Sequence, residues 1–170
     1  MFYNRYGREV FMKKETLLLK LAIVALTIPI IAICIVLVPR LSAGIANEYP
    51  AIAGFRIPFI IAVYATAIAF FNILYQAFRI LALIEKNQAF SNDARTAIQY
   101  IKFSSLSIAL IYSLTLPLFY FVADHEDAPG ILVIGLILVF AALVVAAFAG
   151  VLQKLVNNAL EIKSEMDLTV

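Results

Sequence analysis

Apolar positions fall into four nearly unbroken runs, from about Leu17 to Val38, Ile57 to Leu83, Phe103 to Val122 and Ile131 to Leu152. A hydrocarbon core of about 30 Å takes about 20 helical residues at 1.5 Å each, so each run is predicted to be a membrane-spanning helix. Only Lys20 interrupts the first run, near its start, and Asn72, Gln76 and Arg79 mark the last part of the second. A soluble domain of this size cannot bury four such faces, and a chain that is 64% hydrophobic fits the membrane class. The expected fold is all-α: one polytopic membrane domain over residues 1–170, with four spans and helical extensions beyond them.

The helical pattern runs past the spans on one side. From Gln76 to Ile84 no breaker intervenes, and Asn87-Gln88-Ala89-Phe90 then reads as a turn. Ser91 is placed to cap a new helix, with Asp93 in its first turn to complement the dipole. The segment of about 76–102 is therefore predicted to be an antiparallel helical hairpin. After Gly150 the chain stays periodic through about 153–168. Leu152, Leu155, Val156, Ala159, Leu160, Ile162 and Met166 form an apolar stripe, and Lys154, Asn157, Asn158, Glu161, Ser164 and Glu165 form the opposite face. That stripe is expected to pack on the hairpin, to dock a partner or to lie flat on the lipid, with Glu161 and Glu165 arguing against an anionic surface. On the other side, residues 39–56 carry Pro39, Gly44, Pro50 and Gly54 and read as a loop able to fold back onto the membrane.

Charge sets the direction. Eleven of the thirteen basic residues, from Arg5, Arg8, Lys13, Lys14 and Lys20 through Arg79, Lys86, Arg95 and Lys102 to Lys154 and Lys163, lie on the hairpin side. Arg40 and Arg56 lie opposite, with Glu48, Asp124, Glu126 and Asp127. The positive-inside rule then predicts cytoplasmic termini. A first run longer than a signal-peptide core, behind a long basic leader, is expected to be a retained anchor. Phe2, Tyr3, Tyr6 and Phe11 interleaved with those first basic residues suit the headgroup level. Charges of this kind orient a membrane helix, and with no nucleic-acid-binding motif beside them no direct nucleic-acid contact is expected.

Chemistry is sparse. No Asp or Glu lies in the middle of any run, which argues against proton-coupled transport. One His, one Cys and no phosphate-binding or nucleophile motif predict no enzyme, no cofactor and no catalytic residue. Asp124-His125-Glu126-Asp127 looks metal-like, but adjacent residues rarely converge on one ion, so no metal site is expected. The lone Cys34 reads as a small packing residue. Asn72, Gln76, Arg79, Gln99, Gln153 and Asn157 lie at similar depth and are expected to form an interhelical polar network, with Ser104 at the same level. Ala142, Ala146 and Gly150, and Ser105, Ala109 and Ser113, repeat at four-residue spacing. Such faces mark close helix contacts, within the bundle or between copies in a homo-oligomer. Pro29 and Pro117 lie inside spans and predict bends.

Two stretches carry a resemblance. Ile84-Glu85-Lys86-Asn87-Gln88-Ala89-Phe90-Ser91 is similar to the short basic turn ending in Phe-Ser of a bacterial membrane family catalogued as domain of unknown function 2975. Ala159 to Val170, closing on Asp167-Leu168-Thr169-Val170, resembles that family's acidic helical ending. Asn87 stands where the family commonly has glycine. The resemblance implies a four-span protein of the bacterial plasma membrane, lying in the bilayer with both ends inside. Members are often encoded beside a small helix-turn-helix regulator, which implies a cytoplasmic partner of that kind. Glu161, Glu165, Asp167, Leu168 and Thr169 are its candidate contacts. The expected function is regulatory or immunity-like coupling of a membrane or extracellular cue to that partner. A small channel or transporter, with Asn72 and Gln76 in its path, and an accessory subunit of a membrane complex are the alternatives.

Overall fold

The computed structural model describes the backbone of residues 3–48 and 50–168, and the side chains of 16–40, 42–44, 50 and 54–166. Among the described residues five α-helices follow one another: α1 (Tyr3–Ala32), α2 (Val38–Glu48), α3 (Arg56–Glu85), α4 (Asn92–His125) and α5 (Gly130–Leu168). A π-helical turn, Ile33–Leu37, joins α1 to α2, and a 3₁₀ segment, Pro50–Phe55, leads into α3. Among the described residues four helical stretches are long and apolar enough to cross a membrane: Thr16–Gly44, Arg56–Glu85, Asn92–His125 and Gly130–Met166. Helices suit lipid because each satisfies its own backbone polar groups where water is absent.

Each spanning helix packs on its neighbour in sequence. α4 and α5 share the most extensive contact, α3 and α4 the next, and α1 approaches only α3 closely. Small residues explain the ranking. Ala142, Ala146 and Ala149 on α5, and Ser105 and Ala109 on α4, are all buried, so these backbones come close together. Gly135 extends that approach to the far end of α5, where an added Cβ would meet Leu116 Cδ2 and Phe119 Cγ at 3.2 Å. α1 has no comparable stripe. Leu17, Leu18, Leu21 and Ile28 on α1, and Ile35 in the π turn, are each at least 65% exposed, which leaves them to lipid.

Two turns have the same ending. α3 stops with Asn87 at a φ of 56°, and the Gln88 and Asn87 amides donate to the Leu83 and Ile84 carbonyls at 2.9 and 3.0 Å. That is a Schellman motif with Asn in the left-handed position usually held by glycine. α4 ends alike, with Asp127 at a φ of 51° and the Ala128 amide donating to the Ala123 carbonyl at 2.9 Å. The acidic run around His125 is thus a helix cap. Ser91 Oγ accepts from the Ala94 amide at 3.2 Å, capping α4 as its position predicts.

The segment 39–56 departs from expectation. It is helical rather than a loop, running as α2 through Pro39 to Glu48 and then as the 3₁₀ segment. The π turn ends two residues before Pro39, and a widened turn eases the clash of a proline ring with the preceding carbonyls. Ser42, only 2% exposed, donates its hydroxyl to the Pro39 carbonyl at 2.9 Å. Pro29 and Pro117 sit within continuous helices. Thr115 Oγ1 donates to the Ile111 and Tyr112 carbonyls at 3.2 and 3.0 Å, one turn before Pro117. The aromatic and basic residues before residue 16, and Tyr49, lie outside the described side chains.

Candidate functional site at the hairpin end

The end of the bundle that carries the α3–α4 hairpin holds most of the polar chemistry. It is assembled from the end of α3, the start of α4, the early part of α1 and the last turns of α5. Asn72 Nδ2 donates to Ser104 Oγ at 2.8 Å, joining α3 to α4. Arg79 reaches Asp93 in the first turn of α4, its Nη2 lying 3.0 Å from Oδ1. An exposed pair of this kind holds the hairpin's two arms in register more than it stabilises them.

Among the described residues no hydrogen bond joins any two of the six side chains expected to form one network; Asn72 and Arg79 instead pair with Ser104 and Asp93. Gln76 is 6% exposed, and its Oε1 has no hydrogen-bond partner. The Oδ1 of Asn157 on α5 is likewise buried and unpaired. Gln153 is half-buried, and Gln99 is exposed on α4, turned away from the others' level of burial. Helical periodicity sets the depth of each residue, whereas the rotation of each helix about its axis sets its direction.

A clasp absent from the sequence reading lies beside this group. Glu85, the last residue of α3, accepts from Lys20 Nζ at 2.6 Å and from Thr16 Oγ1 at 2.8 Å. Lys20 Nζ also lies 5.3 Å from the centre of the Phe78 ring, within cation–π range. These contacts tie α1 to the bundle where its apolar packing is thin. The signal was present: a lysine inside an apolar run needs a partner, and Glu85 ends the helix antiparallel to it.

The stripe on α5 beyond the span divides. Val156 is buried with Ile98 and Ala149, and Leu160, Ile80 and Ile101 pack on that cluster, so this part rests on the hairpin. Leu155, Ile162 and Met166 are 56%, 58% and 62% exposed. Between the start of α4 and this stretch of α5 lies a polar groove of about 510 Å³, lined by Asn92, Arg95, Asn157, Glu161, Lys163 and Ser164 with Leu160. Glu161 is therefore in the groove, and Glu165 is exposed one turn beyond it. The side chains of Asp167, Leu168 and Thr169 lie outside the described residues. Among the described residues no group of His, Cys, Asp or Glu is arranged to hold a metal ion.

Comparison with known proteins supports a membrane protein. The family model described as "Protein of unknown function (DUF2975)" matches residues 40–170. The chain is 47% identical over 158 residues to the uncharacterized membrane protein YoaS of Bacillus subtilis (strain 168), covering 93% of this chain and 99% of that protein. No solved structure matches the chain.

Proposed function

The chain belongs to the DUF2975 family, and from that premise we propose that it is a non-enzymatic bacterial plasma-membrane protein that holds a cytoplasmic partner at its hairpin end. The placement rests on the basic residues: with the hairpin and both chain ends inside, eleven of thirteen Lys and Arg residues are cytoplasmic. The role is regulatory or immunity-like, and a change at the membrane alters how firmly the partner is kept.

One observation carries the reading. The groove between α4 and α5 sets Arg95 and Lys163 beside Glu161. Asn157, whose Oδ1 is buried and unpaired, is among its lining residues, and Ile162 and Met166 stand exposed close by in sequence. Charged groups that steer, an unmatched polar atom and apolar anchors are what a protein contact uses. A small helix-turn-helix regulator, implied by the family resemblance, is the partner proposed.

The test is a mild-detergent pull-down from the native host with the full-length chain, a form ending at Gln153, and the doubly substituted Ile162→Asp, Met166→Lys protein. Retention of one DNA-binding protein by the full-length chain alone supports the reading. Empty pull-downs with all three sink it and favour a channel or transporter.

A further inference from the structure

Midway along the spans, α1, α3, α4 and α5 surround a cavity of about 450 Å³. Small-molecule sites span roughly 300–1,000 Å³. Its wall is aliphatic and aromatic, and no charged side chain lines it. α1 and α5 both line it without a close backbone approach to each other, so the space between them stays open.

Ser105 is a buried and unmatched group in that wall. It is 1% exposed, and its Oγ has no hydrogen-bond partner. Its neighbours on α4 behave differently: Ser107, Ser113 and Thr115 each donate to a carbonyl one turn back. Thr66, across the cavity on α3, donates to the Ala62 carbonyl at 2.8 Å. Ser105 thus keeps a hydroxyl able both to donate and to accept, in a region where no water satisfies it.

The third observation is the π turn. Ile33 and Cys34, its first two residues, line the cavity. Tyr64 Oη donates to the Cys34 carbonyl at 3.1 Å and holds the widened backbone. Single π turns within helices occur frequently at functional sites.

We propose that this cavity binds one neutral, lipid-soluble molecule. Its hydrocarbon body lies against Phe70, Tyr112 and Ala142, and its single oxygen, a hydroxyl or a carbonyl, pairs with Ser105 Oγ. Neutrality follows from the lining, since an ion there would have no counter-charge. The oxygen follows from Ser105, which a plain acyl chain would leave unpaired. The site is separate from the hairpin groove, and its test does not depend on any protein partner.

The experiment uses the full-length protein in phosphatidylcholine vesicles and a photoreactive diazirine derivative of hexadecanol, with unlabelled hexadecanol and hexadecane as competitors. The expected result is saturable labelling on α4 and α5 near Ser105 and Ala142, displaced far better by the alcohol than by the alkane. Loss of one neutral hydrogen bond in Ser105→Ala should weaken binding about three- to tenfold. Ser105→Thr should retain it, and Ala142→Leu, which fills the cavity, should abolish it. Equal displacement by alkane and alcohol would reduce the cavity to ordinary acyl-chain space, and labelling that never saturates would remove the site. Both of those outcomes overturn the proposal. The alcohol-to-alkane comparison is read on the unaltered protein, so it decides even if a variant fails to fold.

Discussion

Asn87 shows how much one backbone angle can weigh. Its φ of 56° lies in the left-handed region, where a residue with an ordinary Cβ loses about 1–2 kcal/mol and Asn loses less. Asn87→Ala should therefore lower stability by about 1 kcal/mol, and Asn87→Gly should hold or raise it, measured by thermal unfolding in detergent. At the hydrogen bond between Asn72 and Ser104, a double-mutant cycle with Asn72→Leu and Ser104→Ala should give a coupling of about 0.6 kcal/mol, the typical figure for polar pairs between membrane helices. At this scale the chain was readable where chemistry is local. Ser91 as a cap follows from backbone needs within a few positions, and the resemblance marked Asn87 as standing where the family commonly has glycine. Gln99 was not readable, because its exposure depends on the rotation of α4 against α3 and α5.

Between elements, two devices hold the helices, and they act at different places. α4 and α5 are joined by small residues, so bulk there should separate them. Ala146→Leu, at a position 6% exposed, should cost about 1–3 kcal/mol by overpacking. Detergent unfolding should show it, and an unchanged midpoint would mean that the two helices part without loss. α1 is joined by the contacts at Glu85 instead. Lys20→Glu or Glu85→Lys alone should loosen α1 and increase its protease sensitivity, and the double exchange should recover most of the loss. The coupling should be about 1–2 kcal/mol, since both side chains are partly withdrawn from water. The hairpin, the spans and the long α5 were legible from periodicity. The helical course of 39–56 was not, because Pro39, Gly44, Pro50 and Gly54 are read as breakers while a π turn relieves the first of them.

For the whole molecule, four helices long and apolar enough to cross a membrane put the hairpin and the end of α5 at one end of the bundle and the α4–α5 turn at the other. The positive-inside rule is the reason for proposing that the first side is cytoplasmic. With Cys34 replaced by Ala, Gln88→Cys and Glu165→Cys should resist a membrane-impermeant maleimide in intact cells, while Asp124→Cys should react; the opposite pattern would invert the proposed topology. By itself the sequence determined the helical class, the number of spans, the hairpin and the charge asymmetry. Each of these depends on residues close together in the chain, or on the expense of placing polar groups in hydrocarbon. Only the tertiary structure decided that the small-residue faces of α4 and α5 meet within one chain, that Lys20 finds Glu85, and that the stripe on α5 is half covered. It alone placed Ser105 unpaired on a cavity between four helices. Those outcomes depend on how helices rotate and approach one another, and in lipid that is settled by the shape of whole surfaces rather than by any hydrophobic pattern along one helix.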